Sequence, residues 1–164
     1  MTLTARLATV ADAEEIARIY NQGIEDRTST FVTRASNASD VRGWFSGGMP
    51  IVVVEGDDGT VGFAASSRWR QSGWFEGIAE LSVYVEREQR GRGIGRIALS
   101  ALVRAAEQAG LRKLIGGIFS GNRASRTLFL RAGFREVGVF EKQAQLDGVW
   151  HDVLIVEKLI AQPP

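Results

Sequence analysis

Cysteine is absent from the 164 residues, which excludes disulfides, thiolate metal sites and a thiol nucleophile. Histidine occurs once, as His151, so a histidine-rich metal centre is not expected either, and the sequence predicts no bound metal. An excess of either charge is also missing: 20 lysines and arginines stand against 19 aspartates and glutamates, a net charge of +1. That balance argues against a general polyanion binder, and no nucleic-acid partner is expected. No apolar run approaches membrane length, and the first residues, MTLTARLATVADAEE, lack the charged-then-apolar pattern of a secretion signal. The expectation is a cytoplasmic protein with no membrane partner.

What is present is the composition of a folded domain, 45% hydrophobic and 24% charged. The length is that of one domain with a real core, and no repeat, low-complexity tract or linker interrupts residues 1–164. Lysine supplies only Lys113, Lys142 and Lys158 of the 20 basic residues, and four of the arginines (Arg87, Arg90, Arg92, Arg96) crowd into one stretch. The basic feature is therefore local, as a small anionic ligand requires.

The pattern along the chain predicts the order β-α-α-β-β-β-α-β-α-β-β. LTARLAT reads as a strand, and Thr9 with Asp12 as a capping box before a helix carrying Ile16, Ile19, Tyr20 and Ile24 at helical spacing. A polar loop with Phe31 and a short helix around Val41–Phe45 follow. PIVVVE and TVGFAASS flank GDDG, a hairpin signature. IAELSVYVE alternates as a strand, and Ile94, Ile97, Ala98, Ala101, Leu102 and Ala105 mark a helix closed by Gly110. RKLIGGIF, NRASRTLFLRAG, FREVGVFEK and VWHDVLIVEKL read as strand, helix, strand and strand, with AQPP as a tail. The fold class is α/β, a mixed sheet with helices packed on it.

The informative segment is Arg90-Gly91-Arg92-Gly93-Ile94-Gly95, between an alternating strand and a helix. Three glycines let a ligand approach the backbone and make positive φ cheap. The helix start adds unpaired N–H groups and the positive end of the macrodipole. Together they form an anion site suited to a pyrophosphate. It is not a Walker loop, which needs a Gly-Lys-Ser/Thr end, nor a Rossmann fingerprint, whose glycine spacing differs. An RGG-type segment would repeat, and this one occurs once.

RGRGIG matches Arg/Gln-x-x-Gly-x-Gly/Ala, and the chain resembles the GNAT superfamily of acetyl-CoA-dependent N-acetyltransferases. GNRASRTLFLRAGF resembles a second signature of that superfamily through Asn122, Ala124, Leu128, Gly133 and Phe134. The resemblance covers nearly the whole chain and implies a single GNAT domain, with a twisted mixed sheet of about seven strands and helices on both faces. It implies acetyl-CoA as co-substrate. IYNQGIEDRTSTF, ELSVYV and GVWHDV resemble the branch containing the phosphinothricin, methionine sulfoximine and arsinothricin acetyltransferases, which implies a small glutamate-like amino acid as acceptor, a detoxification role and a homodimer. A protein or peptide acetyltransferase and a non-catalytic acyl-CoA-binding module are the other readings.

Glu80, Ser82 and Tyr84 share one face of their strand and Leu81, Val83 and Val85 the other. A carboxylate on such a strand is costly unless paired or used, so Glu80 is either a base for the amine's proton or the partner of a nearby arginine. By resemblance it is the base. The resemblance also implies that the backbone of residues 83–85 (Val83, Tyr84, Val85) holds the pantetheine arm, that Arg90, Gly91, Arg92, Gly93, Ile94, Gly95 and Arg96 hold the pyrophosphate, and that Asn122 bonds the arm. Asn122 is equally readable as a helix N-cap. Phe129 stands where many relatives have a tyrosine acid for the thiolate; an alkyl thiol of pKa about 8.5 leaves without much help. Candidates for the acceptor are Phe31 and the segment SRWRQSGWF, with Arg68 and Arg70, whose bidentate forks suit its acidic groups, and Trp69, Trp74 and Phe75 as walls; the resemblance implies that His151 also lies near the acceptor. The alternatives are solvated loop charges, a dimer contact for Trp74 and a structural role for His151.

Overall fold

The computed structural model describes residues 1–160; the tail Ala161–Pro164 lies outside the described residues. The strands are β1 (Thr4–Leu7), β2 (Ile51–Gly56), β3 (Gly59–Arg68), β4 (Ile78–Val85), β5 (Lys113–Phe119), β6 (Arg135–Leu146) and β7 (Val149–Leu159). The helices are α1 (Ala13–Asp26), α2 (Ala38–Trp44), α3 (Ile94–Gln108) and α4 (Arg123–Arg131). The strands form one mixed sheet in the order β1-β2-β3-β4-β5-β7-β6, antiparallel except for β4 and β5. The predicted element order holds throughout. β6 runs further than its sequence suggests, to Leu146, through an irregularity where Lys142 takes a φ of 48°.

Alternation sorts the strand residues between two helical layers. Ile51, Val53, Phe63 and Tyr84 face α1 and α2, where Ile16, Ile19 and Val41 are wholly buried. Val52, Val54, Leu81 and Leu114 face α3, whose buried stripe is Ile94, Ala98, Leu99, Ala101, Leu102 and Ala106. Fully burying one such isoleucine or leucine contributes about 1.5–3 kcal/mol. Thr9 and Asp12 do form a capping box, closing a single 3-10 turn at Val10–Asp12 ahead of α1. Asp12 also takes two bonds from Arg6, at 2.8 and 2.9 Å, which hold its carboxyl below the usual range against the opposing effect of burial. The GDDG turn brings Gly56 opposite Gly59.

Two local features set the geometry of the site. At Gly62 a Cβ would come within 2.7 Å of Ile94 Cγ2 and 3.2 Å of the Tyr84 carbonyl, so glycine here lets the first turn of α3 sit against β3. The second feature is a parting of strands. β4 pairs with β5 only from Ile78/Lys113 to Leu81/Gly116, although β4 continues to Val85 and β5 to Phe119. Beyond Leu81 the sheet opens.

Candidate active site

The opening between β4 and β5 leaves backbone groups free, and the strand's own periodicity says which. Trp69 N–H donates to the Ile78 carbonyl and Glu86 N–H to that of Val61, so the even-numbered residues of this strand turn their amides and carbonyls toward β3. Val83 and Val85 therefore turn theirs into the gap. Tyr84, expected alongside them, does not: its backbone belongs to β3 and its side chain to the opposite layer. The Val85 carbonyl already accepts from Arg90 Nε at 3.2 Å.

The gap runs into the Gly–Arg loop. Gly91 and Gly93 have φ values of 79° and 83°, and a Cβ on either would meet nothing within 4 Å. Gly95 serves packing instead, since a Cβ there would touch Leu128 at 3.3 Å. No side chain caps α3: Gly93 is its N-cap, and the first intrahelical bond runs from Ile97 N–H to the Gly93 carbonyl. The N–H groups of Ile94, Gly95 and Arg96 are the orphans of that first turn. Ile94 contributes only its backbone, its side chain being buried in the core. Arg92 and Arg96 are exposed and have no acidic partner among the described residues, whereas Arg90 is bound to Asp26 at 2.6 Å. Free cations, free N–H groups and a cradle with room above it fit a pyrophosphate.

On the face of the sheet covered by α1 and α2 lies a cavity of about 450 Å³, walled by the loop after α1 (Ser29, Thr30, Phe31), by Tyr20 and Trp44, and by Phe119 and Val153. Glu80, Ser82 and Tyr84 project into it from β4, and Ala65 and Ser67 from β3. Leu81 and Gly117 also border it, so it reaches the point where the strands part. The Glu80 carboxylate has no hydrogen bond or ion pair among the described residues, which removes the salt-bridge reading. By surface area Glu80 is exposed, but it stands within a concave wall, and the protein around it displaces enough water to raise its pKa above the ordinary value. Burial likewise pushes the Tyr84 phenol well above the usual tyrosine range, with Ser29 and Thr30 as its hydrogen-bonding neighbours. It stays a neutral donor.

The other predicted residues divide. Phe31 lines the cavity, and His151 lies against the same rings, tilted on Phe119 at 4.9 Å and edge-on to Phe31 at 6.2 Å. Asn122 is an N-cap, accepting from Ser125 N–H at 3.1 Å, and its Nδ2 donates to the Thr28 carbonyl at 3.2 Å. It thus ties α4 to the loop that walls the cavity. Arg68, Arg70 and Trp74 are not brought to the cavity. Arg68 lies opposite Ala79, one residue out of register with the Ser67–Glu80 pair, and so projects from the other face of the sheet. Arg70 lies over Trp69 and Phe75 at 5.6 and 5.5 Å, and Trp74 is 87% exposed. Tyr20, Trp44, Ser67 and Phe119 line the cavity without having been singled out. Tyr20 reads as core from helical spacing alone, and only the topology brings Trp44 and Phe119 to the same wall.

The GNAT acetyltransferase domain model matches residues 2–135, and the chain belongs to that family of acetyltransferases. Among curated relatives, it is 35% identical to the L-methionine sulfoximine/L-methionine sulfone acetyltransferase of Pseudomonas paraeruginosa, over 96% of this chain and 94% of the relative. It is 30% identical to the L-amino acid N-acyltransferase MnaT of Escherichia coli, over 94% and 92%. Among solved structures, the phosphinothricin acetyltransferase of Sinorhizobium meliloti in complex with AcCoA superposes with a TM-score of 0.90 at 28% identity, covering 98% of this chain and 89% of the other.

Proposed function

We propose that this acetyltransferase takes acetyl-CoA as donor and acetylates the α-amino group of a small glutamate-like amino acid, of the kind that includes phosphinothricin, methionine sulfoximine or sulfone, and arsinothricin. The observation that carries this reading is the unpaired Glu80 carboxylate, in a cavity that reaches the parting of β4 and β5. The names of the relatives support the acceptor class.

Within this reading the pyrophosphate lies on the N–H groups of residues 94–96 with Arg92 and Arg96, and the arm lies along Val83 and Val85. When bound, acetyl-CoA supplies the acetyl group activated as a thioester. An ammonium has no lone pair, so the chain must remove a proton before the nitrogen can attack. Glu80, with its pKa moved up toward neutrality, takes that proton directly or through one water. Phe31 and Phe119, their rings 4.6 Å apart, form one aromatic wall of the cavity. Asn122 holds the wall loop through Thr28.

A homodimer in the cytoplasm belongs to the same proposal. Its support is the apolar outer part of the β6–β7 pair, where Val137, Val139, Phe140, Val149 and Trp150 are all about half exposed. The reading is tested by the release of free CoA thiol against a panel of amines: glutamate analogues, polyamines, an aminoglycoside and short peptides. With no cysteine in the protein, a thiol reagent reports only product. Turnover confined to the amino acids is expected; turnover confined to peptides would overturn the acceptor class.

A further inference from the structure

The end of α1 is fastened to the segment that leads from β4 into the Gly–Arg loop. Arg87 N–H donates to Gln22 Oε1 at 2.7 Å, and the Arg87 guanidinium reaches Glu25 at 3.1 Å and Asp26 at 2.9 Å. Asp26 turns its second oxygen to Arg90, at 2.6 Å. Arg90 in turn donates from Nε to the Val85 carbonyl at 3.2 Å, so its guanidinium spans from the last residue of β4 to the last residue of α1. Of the two acids Asp26 is the more enclosed, with 21% of its side chain exposed against 67% for Glu25, and it is the one that engages both arginines. Beyond Arg90 the loop has little else to hold it. Gly91 and Gly93 carry no side chain and take positive φ, and Arg92 is exposed without an acidic partner among the described residues. The next fixed point is the first turn of α3.

We infer that Asp26 is a positioning residue for the acetyl-CoA site: through Arg90 it fixes the start of the Gly–Arg loop, and with it the direction in which the loop's N–H groups point. The inference rests on the acetyl-CoA site proposed above. A backbone cradle binds an anion well only if its N–H groups converge before the anion arrives, and a glycine loop takes that order from its ends. Arg90 is poorly suited to meet the pyrophosphate itself, because Asp26 matches its charge and Val85 takes its Nε. Its role is that of a bracket. The sign of the effect separates position from charge. Asp26 is an anion bound to the first residue of an anion-binding loop, so charge alone predicts that its removal strengthens acetyl-CoA binding. Loss of a positioning contact weakens it.

The test is calorimetric binding of acetyl-CoA and of CoA to Asp26→Ala, Arg90→Ala and the double variant. Alongside it, kcat/KM is measured with the best acceptor of the panel for acetyl-CoA and for S-acetylpantetheine, a donor that lacks the pyrophosphate. Each single variant is expected to raise both Kd values about five- to tenfold, and the double variant little further, since the two residues form one bracket. Asp26→Ala should lower kcat/KM for acetyl-CoA by the same factor and leave that for S-acetylpantetheine nearly unchanged. Tm should stay close to that of the wild type, because ion pairs this exposed add little stability. Unchanged or tighter binding by Asp26→Ala, or losses that add in full in the double variant, would overturn the inference. So would an equal loss with S-acetylpantetheine, which would place the effect of Asp26 in the acceptor wall that follows α1. A wild-type protein that binds neither acetyl-CoA nor CoA would overturn the site and the inference together.

Discussion

In the proposed mechanism Glu80 takes the amine's proton, and its electrostatics make a second set of expectations beyond turnover. Its pKa is raised by burial, with no partner to pull it back. A carboxyl raised in the folded state binds its proton more tightly there than in the unfolded chain. Its contribution to stability is therefore most favourable below the ordinary carboxylate pKa and declines as pH rises from there through the raised value. Glu80→Gln is accordingly expected to raise Tm at neutral pH while leaving it unchanged in acid, measured by thermal melts from pH 3 to about 8. Asp12 has the opposite sign: its pKa is lowered, so the stability it gives with Arg6 is present above the unfolded value and is lost as pH falls. Arg92 and Arg96, exposed and without acidic partners, are ligand-binding rather than structural in this account. Alanine at either should weaken acetyl-CoA binding by about tenfold at low salt, less at high salt, with Tm nearly unchanged.

Elements were more legible than the contacts between them. GDDG, the capping box at Thr9 and Asp12, and the switch from alternation to helical spacing at Gly93 all encode local structure, because each depends on residues within a few positions. The anion loop was legible for the same reason. The acceptor cavity was not, because its wall is assembled from α1, α2, β3, β4, β5 and β7. Arg68 shows the limit. Its bidentate fork made it a candidate for the acceptor, but a shift of one residue on a strand reverses the face, and only the register with Ala79 shows which face it takes. Tyr84 follows the same rule within the expected 83–85 stretch. Asn122 is a case where both readings of one residue have geometric content. Asn122→Ala removes the cap of α4 and should cost about 1 kcal/mol in stability. Asn122→Asp keeps the accepting oxygen but loses the donor to Thr28, so it should restore most of the stability while the KM for the acceptor stays high. Equal recovery of both would mean that the bond to the wall loop does not shape the cavity.

Taken as one body, the protein builds both proposed ligand regions around a single strand. β4 offers the backbone of Val83 and Val85 to the gap and the side chains of Glu80, Ser82 and Tyr84 to the cavity. Splitting the sheet at Leu81 is what lets the two regions meet. At the far edge, β6 has no strand beyond it among the described residues and the β6–β7 pair exposes apolar side chains, which the proposed homodimer would cover. Trp150→Glu is expected to shift sedimentation toward the monomer; a variant that sediments as the wild type does would remove Trp150 from the interface.

Proton removal by Glu80 is the central step of the proposed mechanism, and one experiment isolates it: kcat and acetyl-CoA Kd for Glu80→Gln, followed from acid to alkaline pH with the best acceptor of the panel. The expected outcome is a loss of about 100-fold or more in kcat near neutrality with Kd unchanged. The acid limb of the wild-type profile, lying above the ordinary carboxylate range, should vanish with it. A variant that keeps the wild-type rate and the same acid limb would show that another group, or the solvent, takes the proton.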